Sequence, residues 1–366
     1  MKRQLCAAVS LLLCGVLFAG CGKGSDSPSE KASTEAVTTQ EQSEAAAPDQ
    51  TEAVSAQGET EAGSEAEIKG TQGAEASLPL PEASPIETAV TVMVDGAATA
   101  EGGYDYEAIM GDAGEMKLGD AIFYGVPLAQ LTGGDLSDAS GAFVEATDGY
   151  VMYFPDAKDL ALAVYQANEE TYEVVTQDGA AAYAVVSADG ASSVAGAENI
   201  YFVTAPCEFE VDIQVNGESV GKLTRADFMK KTHTGGDERI PTSMYDGSFK
   251  YNQGSSTYTG RFLGIDYETM LTKLQGIEGI SFDAEAIKEV EYYGTPGLGE
   301  VGKNGEYTLY PDEDTYYANA KFFCMYDGMT YNPDLKDVPV GLTAFIDGTG
   351  MRWVTFNLTA INIVTE

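Results

Sequence analysis

From residue 89 onward, short runs of β-branched and aromatic residues alternate with turn-forming dipeptides. Runs of this kind predict strands, most clearly at residues 90–94, 184–186, 211–215 and 352–358. Asp-Gly, which favours tight turns, occurs at 95–96, 148–149, 178–179, 189–190, 246–247, 327–328 and 347–348. Helices are predicted at fewer places, namely 128–131, 157–165, 225–231, 267–274 and 316–326. The fold class that follows is α+β with strands dominating.

One short sequence motif, called here the step, occurs twice in this region. Its pattern is aromatic-x-Gly-x-x-Leu, and it is found at residues 123–128 and again at residues 258–263. Each step is followed by a short helical pattern, and a β run comes later, at 198–204 and 353–364. A spaced repeat of one pattern is typical of tandem structural units. We therefore divide the region into a first half, residues 89–205, and a second half, residues 206–366.

The sequence opens with a basic pair, Lys2-Arg3, and an apolar run over residues 5–19 that ends in Gly20-Cys21. The run is shorter than the ~20 residues that a membrane-spanning helix needs, so residues 1–21 are predicted to be a signal peptide. Residues 17–21 resemble a bacterial lipobox, which implies that Cys21 carries diacylglycerol and further fatty acyl chains such as palmitate. An ordinary secretory signal is the alternative. The resemblance implies a chain anchored by lipid to the extracytoplasmic face of the cell membrane.

Residues 22–88 have a different composition from both flanking regions. They contain 14 acidic and 3 basic residues and no aromatic residue. Such a stretch buries too little apolar surface to offset the entropy lost on ordering, and its like charges extend it. We predict a disordered acidic linker that holds the folded part away from the bilayer.

Charge and histidine content exclude several function classes. The chain has 366 residues and a formal net charge of −38, with a single histidine, His233. A surface so negative repels phosphate backbones, so nucleic acid is not an expected partner. One imidazole also excludes a metal site built on paired histidines, and no metal site is predicted.

Several segments resemble the oxidoreductase molybdopterin-binding domain, which has the sulfite-oxidase-type fold. In the first half these are residues 124–131 and 147–150. In the second half the resemblance is longer and covers 215–218, 222–228, 258–260, 338–342 and 352–354. It implies two tandem sulfite-oxidase-like units, and it concerns architecture rather than chemistry.

The resemblance implies a chemistry in which a cysteine thiolate binds molybdenum. In that family the cysteine lies between the first helix of the domain and the aromatic-x-Gly motif. No cysteine occurs at 228–257 or at 89–122, the corresponding stretches. The leading hypothesis is therefore a non-enzymatic binding module without cofactor, whose partner is an unknown small molecule or protein. The rival hypothesis is a molybdopterin-dependent oxidoreductase with a non-standard ligand set.

Basic residues concentrate in one stretch of the second half. Residues 222–261 hold 7 of its 13 Lys and Arg, including Arg225, Arg239 and Arg261. Planar guanidinium groups bind oxyanions bidentately, so these three arginines form a candidate anion-binding site. The alternative is an ordinary solvated surface, on which each arginine lies near an acidic neighbour.

Beyond Cys21 the sequence contains two cysteines, Cys207 and Cys324. An exported protein can join such a pair in a disulfide. Both residues stand in apolar surroundings, however, which favours two buried free thiols over a disulfide.

Overall fold

A computed structural model places all of the residues that it describes in one compact unit, Gly63–Glu366. They are residues 69–70, 76–82, 86–134, 136–230, 232–233, 239–240, 242–251, 256–294, 306–309, 320–330, 340–346 and 354–365. Cys21 therefore lies outside the described residues.

Strands dominate the first half. Its elements, with one short strand that precedes it, are β1 (Lys69–Gly70), β2 (Thr91–Val94), β3 (Ala97–Ala98), α1 (Tyr106–Asp112), β4 (Gly114–Leu118), β5 (Ala121–Pro127), α2 (Leu128–Leu131), β6 (Gly141–Ala146), β7 (Val151–Phe154), β8 (Leu160–Ala167), β9 (Tyr172–Val174), β10 (Thr176–Gln177), β11 (Ala180–Ala181), β12 (Ala184–Ser187), β13 (Ser193–Ala195) and β14 (Ala197–Val203).

The second half has the same character. Its described elements are β15 (Glu210–Val215), β16 (Glu218–Thr224), α3 (Arg225–Met229), β17 (Thr232–His233), β18 (Arg239–Ile240), β19 (Ser243–Tyr251), β20 (Ser256–Asp266), α4 (Tyr267–Gln275), a 3₁₀ turn (Ala284–Ala286), β21 (Glu289–Tyr293), β22 (Glu306–Leu309), β23 (Ala320–Tyr326), β24 (Thr343–Ile346), β25 (Val354–Thr355) and β26 (Ala360–Val364). The fold is thus α+β and strand-rich, as predicted.

Each half contains two large sheets, and the strand order of one half repeats in the other. In the first half the orders are β3-β2-β14-β6-β7 and β1-β4-β5-β8-β12-β13, with β9 also paired to β8. In the second half they are β16-β15-β26-β21-β22 and β19-β20-β23-β24-β25. The first and last long strands of each half, β2 with β14 and β15 with β26, pair in parallel. Matching connectivity in both sheets makes the halves two copies of one topology.

A bulge before a helix locates equivalent residues in the two copies. Gly125 stands at a register shift between β5 and β8, three positions before α2 begins. Gly264 stands at a register shift between β20 and β23, three positions before α4 begins. Gly264, rather than Gly260 of the repeated sequence step, is therefore the structural counterpart of Gly125.

The described side chains that hold the sheets form four buried clusters, one of which covers the outer face of the β4–β5–β8–β12 sheet around Leu118 and Ala163. One core lies inside the first half and contains Ile109 of α1, Leu128 of α2, Val126 of β5 and Val144 of β6. The other face of the β6–β14 sheet belongs to a core shared with the second half, and a further aromatic cluster surrounds Phe262. Because β6 lies between two cores, all of its residues are buried.

The end of the predicted linker contacts the first half. The backbone of β1 pairs with β4, the N–H of Ser77 donates to Glu115 Oε2 over 2.8 Å, and Ile86 is buried. Hydrogen bonds from Ser77 and Tyr172 lower the pKa of Glu115. Contacts with the folded part therefore begin before residue 89, because the apolar side chains of Leu78 and Ile86 pack against the first-half core.

Two of the predicted helices are wrong. Residues 160–165 of the predicted helix at 157–165 lie in β8, and residues 320–326 of the one at 316–326 form β23. Each is a central strand buried on both faces, so its apolar residues do not alternate and can be mistaken for a helix. The Asp-Gly pair at 246–247 lies inside the continuous strand β19 and makes no turn.

Other local predictions are confirmed. The helices predicted to begin at 128, 225 and 267 are α2, α3 and α4. Helix α1, which was not predicted, begins at an Asp105 side chain that accepts the Ala108 N–H. No helix within the described ranges is both long enough and apolar enough to cross a bilayer.

Candidate functional site

Arg261 of β20 makes an ion pair with Glu145 of β6, and this pair joins the two halves. The guanidinium Nη2 lies 2.7 Å from Glu145 Oε1, and Nη1 lies 3.2 Å from Oε2. Tyr201 and Asn199, both on β14, donate to the same Oε2, each over 2.9 Å. Glu145 is only 6% exposed, so its negative charge depends on these three donors.

The hydroxyl of Tyr201 acts as a donor in this network. Burial and the negative charge of Glu145 raise the pKa of Tyr201 well above its ordinary value. The phenol therefore keeps its proton at neutral pH and donates it to Glu145, while Arg261 Nη1 donates to the Tyr201 oxygen over 3.1 Å. Every group in the cluster has a partner, which is the arrangement expected of a structural contact rather than a proton-transfer site.

Arg225 also reaches the first half. It is the first residue of α3, after Thr224, whose side chain forms a capping box with Asp227. Its guanidinium carbon lies 4.3 Å from the centre of the Tyr153 ring on β7, a cation–π contact. Its Nε donates to Glu208 Oε1 over 3.1 Å. Helix α3 therefore places this arginine against an aromatic ring of the first half.

The three arginines of the candidate anion site are placed as follows. Arg225 contacts β7, and Arg261 contacts β6 and β14, so both face the same first-half sheet; each has a carboxylate partner. The backbone of Arg239, on β18, pairs with that of His233, but its side chain lies outside the described residues. The anion site stays a prediction, and any anion would have to compete with Glu145 and Glu208.

Cys324 has poor chemistry for a molybdenum ligand. Cys324 is fully buried, and burial together with a hydrogen bond to the Cys207 thiol raises the pKa of Cys324 well above the ordinary value. A thiol that resists ionisation is a poor metal ligand, because it is the thiolate that binds metals. Two of the arginines that could neutralise a cofactor phosphate, Arg225 and Arg261, already pair with carboxylates.

A buried amine was missed from the sequence. Lys273 of α4 is 2% exposed, and its Nζ donates over 2.6 Å to the backbone oxygen of Lys230, the residue that ends α3. Burial lowers the pKa of Lys273 to about 8. The sequence did contain a sign of this burial, because Lys273 lies three positions after Met270 and so shares the apolar face of α4 with it. Its position caps the carbonyl end of α3.

An open cleft of about 760 Å³ lies on the first half. It is lined by Asp138, Asp156, Asp159 and Asp189, with Lys158 between them. Hydrogen bonds from Ser187 and from the Ala191 N–H lower the pKa of Asp189, so it is charged at neutral pH. Within the described part of the chain, no three His, Cys, Asp or Glu side chains are grouped as a metal site.

Comparison with known proteins does not assign this chain to a family. No protein-family model and no curated protein matches this chain. The likeness of residues 206–366, and more weakly of 89–205, to the molybdopterin-binding domain therefore stays a prediction.

Proposed function

We propose that this chain is a lipid-anchored protein of the extracytoplasmic membrane face whose two tandem halves form a non-enzymatic binding module. The observation that carries the proposal is the use of Arg225 and Arg261. Both arginines contact the first half and pair with carboxylates, so two cations that could neutralise a polyanionic cofactor are already engaged in contacts of the fold. This arrangement supports a role in binding a partner rather than in cofactor chemistry.

The partner is a small molecule or another protein, and the bilayer is reached through the lipid on Cys21. Residues 89–205 contain 19 acidic and 2 basic residues, a net charge of 2 − 19 = −17. A field of this sign accelerates encounter with cationic partners and slows encounter with anions. The acidic cleft described above lies on this half.

Lipid anchoring is tested at Cys21. Replacing it, Cys21→Ser, is expected to abolish incorporation of labelled palmitate and to leave unprocessed precursor or soluble protein. The thioether can form only at the cysteine sulfur. The matched control is Cys14→Ser, which changes a cysteine inside the predicted signal peptide and should leave labelling intact. Mature-size Cys21→Ser protein in the membrane fraction, at the parent's level, would show that the lipobox assignment is wrong.

The non-enzymatic assignment is tested by metal and pterin analysis of the full chain extracted in detergent. We expect neither stoichiometric molybdenum nor pterin fluorescence after acid release. A molybdopterin enzyme expressed in the same cells serves as the control for cofactor supply. Stoichiometric molybdenum together with the pterin signal would overturn the binding-module proposal and favour the oxidoreductase.

A further inference from the structure

The fold brings two distant thiols into contact. Cys207 lies in the connection between β14 and β15, and Cys324 lies in β23, 117 positions later. The Sγ of Cys207 is 3.8 Å from the backbone oxygen of Cys324, and the two thiols are hydrogen-bonded to each other. Both are members of the core shared by the two halves.

The contact involves all the cysteines available to a mature chain that begins at Cys21, apart from Cys21 itself. The five cysteines of the sequence stand at positions 6, 14, 21, 207 and 324. Local structure cannot hold residues 207 and 324 together, because they belong to different elements of the fold. Their contact is therefore a property of the folded core, and it gives each thiol a single possible intramolecular partner.

We propose that Cys207 and Cys324 form a disulfide when this chain folds in an oxidising compartment. The proposal rests on the export that the proposed function includes. The bond would link the connection between the halves to a central strand of the second half. It would also fix Cys207 beside Tyr153, which is hydrogen-bonded to the Cys207 backbone.

The reaction is thiol–disulfide exchange with a disulfide-bearing oxidant, either a protein oxidoreductase or a small disulfide such as oxidised glutathione. The thiolate of one cysteine attacks the oxidant disulfide, forms a mixed disulfide and releases one thiol. The thiolate of the second cysteine then attacks the sulfur of the first and releases the other thiol. The chain loses two electrons and two protons, and the oxidant is reduced to two thiols.

Burial sets the time at which the bond can form. In the folded chain Cys324 is fully buried and Cys207 is 2% exposed, so an oxidant cannot reach either sulfur. The raised pKa of Cys324 also makes its thiolate scarce. The bond must therefore form before the core closes, and once formed it is shielded from reductants.

The test uses the full chain isolated from the membranes of cells that express it. The protein is denatured in the presence of an alkylating reagent, with or without prior reduction, and its peptides are mapped by mass spectrometry. We expect the peptides that contain Cys207 and Cys324 to be linked, lighter by two hydrogen atoms than their sum, and to be alkylated only after reduction. In the control variant Cys207→Ala, Cys324 should be alkylated without reduction.

A second preparation distinguishes the ability of the two cysteines to form a disulfide from the export of the chain, on which the proposal rests. The same full chain is unfolded, reduced and refolded in a glutathione redox buffer. Linked peptides in both preparations, or in the cell-derived preparation alone, support the proposal. Linkage only after refolding supports the cysteine pair and counts against export. Free, alkylated cysteines in both preparations overturn the proposal.

Unfolding gives an independent measurement. Reduction should lower the denaturant midpoint of the oxidised chain, because it removes a cross-link that constrains the unfolded state. Reduction should leave the midpoint of the double variant Cys207→Ala/Cys324→Ala unchanged. An oxidised chain whose midpoint does not respond to reduction would contradict the proposal. If the double variant does not fold, Cys207→Ser takes its place.

Discussion

Replacing Gly264 with alanine is expected to destabilise the compact unit by about 3 kcal/mol. A Cβ at this position would lie 1.9 Å from the backbone oxygen of Phe322 on the neighbouring strand. That strand cannot retreat, because Phe322 packs in the core shared by the halves and Phe323 packs in the aromatic cluster. The free energy of unfolding, measured by urea denaturation of the full chain, should fall by this amount with an unchanged slope.

Two further glycines complete the experiment. Gly125→Ala should be destabilising in the same way, since its Cβ would lie 2.1 Å from the backbone oxygen of Leu162. Gly111→Ala is the matched control, because Gly111 lies in α1 with no atom within 4 Å of an added Cβ. That control should be neutral or stabilising by about 0.5–1 kcal/mol. Equal midpoints for Gly264→Ala and Gly111→Ala would refute the close approach of β20 and β23.

Replacing Arg261 with methionine is expected to cost about 2–4 kcal/mol of unfolding free energy. Methionine keeps much of the apolar stem but leaves the buried Glu145 charge with only Tyr201 and Asn199 as hydrogen-bond donors. The expected loss of unfolding free energy is smaller than for breaking a fully buried ion pair, because the Arg261 side chain is 42% exposed and its charge is partly screened by water.

The control for Arg261→Met removes a cation from an exposed pair. Lys222 pairs with Glu210, and both side chains are more than half exposed, so Lys222→Met should leave the midpoint unchanged. The double variant Arg261→Met/Glu145→Gln should recover part of the lost stability, because it removes the unpaired charge. If Arg261→Met and Lys222→Met have equal midpoints, the Glu145 pair does not hold the halves together.

The arginines illustrate the limit of reasoning from a charge run. Their clustering in residues 222–261 was visible, and an anion site was a reasonable hypothesis for them. The partners of two of them lie elsewhere: Glu145 is 116 positions from Arg261, and the Tyr153 ring belongs to a strand of the first half. A cluster in the sequence says which charges are near one another, but not which opposite charges the fold brings to them.

Elements that depend on local chemistry were predictable. Helix α4 follows from an Asp266 side chain that accepts the Thr269 N–H and from apolar residues at helical spacing. Strand β15 and the Asp95-Gly96 turn likewise depend on residues within a few positions of one another. The strand-rich α+β class is the sum of such local preferences, and it was predicted correctly.

Elements in the middle of the sheets were not predictable in the same way. Strands β8 and β23 are apolar on both faces, because each lies between two layers of side chains, and a pattern without alternation is shared by buried helices and buried strands. The Glu145–Arg261 pair and the Cys207–Cys324 contact join residues more than a hundred positions apart. Local preference acts over a few residues, whereas such contacts exist only after the sheets have paired and the cores have closed.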